Sequence, residues 1–145
     1  MPSARSPAQL LTLLIGATFI LVGILGFIPG ITSHLYGGLD FAGHNSKAEL
    51  FHVFQVSWLH NLVHIAFGLV GLAFASSAAT ARLYLIGGGV VYLLLWFYGL
   101  LIDQAGGANF VPFNTADNWL HFALGTGMIV LGFATTRGRE LAPAT

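Results

Sequence analysis

The sequence predicts an all-α fold, an integral membrane bundle of four transmembrane helices built from two repeated helical hairpins, as a single domain over residues 1–145. Three observations carry that expectation. Of the 145 residues, 56% are hydrophobic and only 7% charged, against roughly 25% charged in an ordinary soluble domain. Four apolar runs reach or approach the ~20 residues that cross a bilayer. A nine-residue pattern in the second run recurs in the fourth.

The first span is expected over about residues 10–28, stopped by Pro29-Gly30. Its apolar stretch exceeds the ~7–15 residues of a signal-peptide core, and Phe27-Ile28-Pro29-Gly30 lacks a small-residue cleavage pattern, so it reads as a retained helix. The second span is expected over about 48–75, stopped by the small polar run Ser76-Ser77-Ala78-Ala79-Thr80. The third covers about 83–102 and ends at Asp103 and Gly106-Gly107. The fourth covers about 116–136, entered through Asn114-Thr115-Ala116-Asp117 with Thr115 as its cap.

Arg5, Arg82, Arg137 and Arg139 fall on one side of these spans and Lys47 on the other. The positive-inside bias then makes the chain a multi-pass protein of the cell (inner) membrane with both termini cytoplasmic. The loops at 29–47 and 103–116 become outer caps over the bundle, and the second helix, begun at Ala48, projects beyond the outer surface with Glu49 and His52. Trp58, Trp96 and Trp119, with Tyr84, Tyr92 and Tyr98, read as interface anchors and bundle packing. The expected surroundings are the lipid bilayer, with a homo-oligomer or a membrane-protein partner open. Five Lys+Arg balance five Asp+Glu, so no basic field exists to draw nucleic acid. The absence of cysteine removes disulfides, thiolate metal sites and cysteine nucleophiles.

The repeat aligns His60-Asn61-Leu62-Val63-His64-Ile65-Ala66-Phe67-Gly68 with Asp117-Asn118-Trp119-Leu120-His121-Phe122-Ala123-Leu124-Gly125. The first and third spans match more loosely, through Leu14-Ile15-Gly16 and Leu85-Ile86-Gly87. Residues four apart share a helix face, so His60 stacks on His64 and Asp117 on His121. Gly68, Gly71 and Ala75 continue one face, Gly125 and Gly132 the other, and such small-residue stripes allow close helix approach in a bilayer. The simplest arrangement packs the second helix against the fourth with both polar pairs facing each other.

The set Gly23-Ile24-Leu25-Gly26-Phe27-Ile28-Pro29, Leu59-His60-Asn61-Leu62-Val63-His64 and Ala116-Asp117-Asn118-Trp119-Leu120-His121 resembles the bacterial membrane family called domain of unknown function 4383. The resemblance covers nearly all of the chain outside the tails and departs at Ser57-Trp58, where the family's pattern carries Asn-Pro. It implies a four-helix membrane protein and no activity.

Ionisable groups inside a membrane mark functional candidates. His60, His64, Asp117 and His121 form a three-imidazole, one-carboxylate set suited to Zn²⁺ or Fe²⁺, with Asn61, Asn118 and Ser57 as supporting polar partners. The leading reading makes the same four an interhelical hydrogen-bond cluster that docks the two hairpins in an accessory or structural protein. A third use gives His64 and His121 as axial ligands to a b-type haem, in a redox carrier or membrane enzyme. Glu49 and His52 form a second, outer candidate site; with the carboxylates so few, a ferritin-like di-iron centre is not expected. Ser57, His60 and Asp117 lack the surrounding elbow and oxyanion donors of a serine hydrolase. Whether the cluster catalyses stays open at this level.

Overall fold

The computed structural model describes residues 4–140, with side chains to residue 135. Residues 1–3 and 141–145 of the expected domain lie outside the described residues, as do the side chains of Arg137 and Arg139. The chain is mostly helical, as the all-α class requires. Four long helices, α1 (Pro7–Leu25), α3 (Trp58–Phe74), α4 (Ala78–Leu101) and α5 (Thr115–Glu140), are joined by a short turn α2 (Leu35–Gly38) and by strands β1 (Thr32–Ser33), β2 (Glu49–Leu50) and β3 (Phe54–Gln55). Two of the helices, α1 and α4, are long and apolar enough to cross a membrane; α3 is apolar but shorter.

Each long helix begins where a side chain accepts otherwise orphaned backbone N–H groups. Ser6 and Gln9 form a reciprocal capping box ahead of α1, with Pro7 in its first turn. Ser57 Oγ accepts from His60 N at 3.1 Å to start α3, and Ser77 Oγ accepts from Thr80 N at 3.2 Å to start α4. At α5 the cap is Asn114 rather than the expected Thr115. Asn114 Oδ1 accepts from Asp117 N at 2.9 Å, and Asp117 Oδ2 accepts from Asn114 N at 3.1 Å, a reciprocal pairing that a threonine followed two residues later by aspartate could not make.

The second long helix starts at Trp58, not near Ala48. Residues 48–57 instead form β2, a turn and β3 in an antiparallel sheet of order β1-β2-β3, pairing Thr32 with Leu50 and Glu49 with Gln55. The physical reason lies in the alternation of this stretch: Ala48, Leu50 and Val56 bury their side chains against Val22, Leu25, Ile31, Leu39 and Phe54, while Phe51, His52 and Val53 stay exposed at the turn. This small sheet and the loops around it cap one end of the helices.

Helix packing also differs from the expected arrangement. The closely packed pairs are α1 with α3 and α4 with α5, and α1 crosses α4 between them; α3 and α5 are not a closely packed pair. Gly68 and Gly125 serve contacts within each pair, whereas Gly71 faces Tyr84 of α4 across the two pairs. A Cβ on Gly16 would stand 2.9 Å from the Gly68 carbonyl, and one on Gly125 would stand 2.9 Å from the Gly89 carbonyl. The contacts recur in register: Gly16–Gly68 corresponds to Gly89–Gly125, Gly26 against Asn61 to Gly99 against Asn118, and Gln9 Nε2 donating to Ala75 O to Arg82 Nε donating to Gly132 O. Gly16 therefore matches Gly89, and the expected match to Gly87 is two residues out of register. Between the pairs, Phe19, Tyr84, Tyr92 and Met128 form the buried centre, with Phe19 stacked on Tyr92 at 5.3 Å. The outward faces of all four long helices carry exposed apolar side chains, among them Leu14 and Leu21, Leu69 and Val70, Leu83 and Leu94, and Trp119 and Val130.

Candidate functional site

Where the cap meets the helices, a cavity of about 80 Å³ is lined by His60, Asn61 and His64 of α3, by Asp117, Leu120 and His121 of α5, and by apolar side chains of α1 and the β2–β3 hairpin. The four residues singled out as a set thus border one space although their helices do not pack together. His60, His64, Asp117 and His121 are each more than nine-tenths buried.

The histidine protons follow from the hydrogen bonds. His60 Nδ1 lies 3.1 Å from the Gln55 carbonyl, and a carbonyl only accepts, so Nδ1 carries the proton. Neutral His60 then presents a bare Nε2, which lies 2.9 Å from His64 Nε2; His64 is the donor, protonated on Nε2. His64 Nδ1 is consequently an acceptor, and it has no partner. His121 Nδ1 is likewise buried without a partner, its ring held between Tyr92 at 5.2 Å and Phe113 at 5.0 Å.

Asp117 has a different task from a free ligand. Its Oδ2 accepts from the backbone N–H of Asn114 and from that of Gln55, both at 3.1 Å. Gln55 was not singled out by sequence, and it organises the site: its N–H reaches Asp117 on α5 and its carbonyl reaches His60 on α3. Its own amide donates to the carbonyls of His44 and Ser46. The one signal it left in the sequence is a lone amide in an apolar stretch.

The polar residues expected to support the four are only partly bonded, with Asn61 Nδ2 and Asn118 Oδ1 buried without partners. Asn118 Nδ2 donates to the Gly99 carbonyl at 3.0 Å, and Asn61 packs its amide into the space left by the missing Cβ of Gly26. Each ties its helix to the neighbour in its own pair. Ser57 is the cap of α3. Among the described residues no group of three or more His, Asp or Glu side chains is set to hold a metal ion.

Residues 9–134 match the family described as a domain of unknown function, DUF4383. The chain belongs to that family. No curated protein and no solved structure matches it. The family bears out the resemblance carried by the His60–His64 and Asp117–His121 motifs, and it assigns them no activity.

Glu49 lies in β2, whereas His52 sits in the following turn in left-handed conformation with φ 58°; their spacing is that of a strand and turn, not of successive positions on one helix. His64 and His121, the pair considered as axial haem ligands, both border the cavity. Beyond His64 the interior closes on rings, with Phe19 edge-on to His64 at 5.5 Å and to Phe67 at 5.1 Å.

Proposed function

We propose that the chain is a four-span protein of the cell membrane, with cytoplasmic termini, whose buried His/Asp cluster docks two like hairpins in an accessory or structural role. The observation that supports it best is the single residue Gln55, bonded through its N–H to Asp117 and through its carbonyl to His60. One residue of the cap thereby couples the α1–α3 pair to the α4–α5 pair. Polar groups gather at this inner junction while the outward faces of all four helices are apolar, the distribution expected when lipid surrounds a bundle. The recurring contacts within the two pairs favour an internal duplication with its axis along the membrane normal. The Trp58 and Trp119 side chains, both exposed near the cap, fit the level of the lipid headgroups.

Because the chain contains no cysteine, single cysteines report topology without background. In intact cells or spheroplasts, Ala105→Cys in the cap should react with a membrane-impermeant maleimide, whereas Ser76→Cys in the α3–α4 connection should react only after the membrane is opened. Labelling of both positions from outside would overturn the four-span topology.

A further inference from the structure

We propose that His60 and His64 form a two-imidazole chelate for a borderline divalent transition-metal ion of the Zn²⁺ class, with its open coordination positions facing the cavity beneath the β2–β3 hairpin. This rests on the reading of the same cluster as the polar centre of the bundle and names a ligand for it. Histidines four apart on one helix face are a recurrent chelating pair, and here their Nε2 atoms already converge at 2.9 Å. Metal-binding histidines donate their second ring N–H to a carbonyl or carboxylate, which fixes the tautomer; His60 does so to Gln55. His64, more than nine-tenths buried, has an unpartnered Nδ1.

Binding needs no net loss of protons. The proton that His64 holds on Nε2 moves to the vacant Nδ1, leaving two Nε2 lone pairs for the ion. The cavity has space for one or more water ligands, since a single water needs only ~10–15 Å³. His121 borders the same space as a third imidazole. Asp117 lies on the same cavity wall.

The test uses the full chain without a histidine tag, purified in detergent, with Co²⁺ and Zn²⁺ as probes. Wild type should bind one Co²⁺ saturably, with a ligand-field spectrum abolished by equimolar Zn²⁺, and Zn²⁺ should raise its Tm. Nitrogen NMR of the histidines should show His64 changing from the Nε2–H to the Nδ1–H form on Zn²⁺ addition. His60→Gln and His64→Gln should each weaken binding by roughly tenfold or more, and His34→Gln, at an exposed position, should leave it unchanged. Absence of saturable one-to-one binding in folded wild type overturns the proposal, as does retention of binding in the His60→Gln, His64→Gln double variant. Should the variants fail to fold, the wild-type stoichiometry and tautomer change still decide it. The maleimide topology test is independent of metal, so failure of the chelate and failure of the membrane reading are distinguishable.

Discussion

Gly87 and Gly89 lie two residues apart in α4 and carry opposite expectations. A Cβ on Gly89 would stand 2.6 Å from Ile129 Cγ1 and 2.7 Å from the Gly125 carbonyl, whereas nothing lies within 4 Å of one on Gly87. Since alanine exceeds glycine in a helix interior by roughly 0.5–1 kcal/mol, Gly87→Ala should hold or raise the Tm. Gly89→Ala must separate two backbones and should cost about 1–3 kcal/mol. Thermal melts in one detergent compare them, and identical shifts would refute the close α4–α5 approach. Asp117 allows a similar contrast, because its Oδ2 satisfies two backbone donors, Asn114 N and Gln55 N. Asp117→Ala strands both at roughly 1–3 kcal/mol each, whereas Asp117→Asn keeps an acceptor oxygen and should cost less than half as much. If the two variants melt alike, the carboxylate does not anchor the cap.

At the level of elements, the β2–β3 hairpin carries the clearest local conflict. Phe51 and His52 both adopt left-handed backbone, φ 54° and 58°, around a turn closed by Val53 N donating to Leu50 O at 3.1 Å. A turn with two such residues favours Asn-Gly over side chains of this bulk, and a non-glycine residue there costs roughly 1–2 kcal/mol. Because His52 is exposed, removing its imidazole uncovers little of the interior, and His52→Gly should stabilise the protein by about 1 kcal/mol. A lower Tm would mean that the imidazole makes an interaction outweighing the strain. This hairpin is also where sequence reasoning failed. Residues 48–57 are apolar enough to extend a helix, and only their alternation and the cap at Ser57 mark a strand followed by a fresh helix start. The repeat itself held the correction, since Ser57 stands to His60 and His64 as Asn114 stands to Asp117 and His121, so the start of α5 fixes the start of α3. The apolar helices α1, α3 and α4 and the cluster residues were legible because hydropathy and fourfold spacing are local properties. The pairing of α1 with α3 was not, because a glycine stripe announces close approach without naming its partner.

For the whole molecule, the decisive property is what surrounds α3, the helix that is apolar but short. Leu69 is 55% exposed on its outward side and makes no part of the buried centre. In water a lysine at such a position would be nearly neutral, within about ±0.5 kcal/mol. In the middle of a membrane span it would cost about 2.5–3.5 kcal/mol on the insertion scale. The equivalent change at Leu94, 62% exposed on α4, supplies the reference, because α4 has the length and hydropathy of a span by itself. If all four helices face lipid, Leu69→Lys and Leu94→Lys lower membrane-integrated yield together, with Ala105→Lys in the cap unaffected. If Leu94→Lys is harmful while Leu69→Lys is tolerated, α3 lies outside the hydrocarbon. The His60–His64 pair would then border water, the apolar face of α3 would need a protein partner in place of lipid, and the docking role would pass from an intramembrane junction to an exposed one.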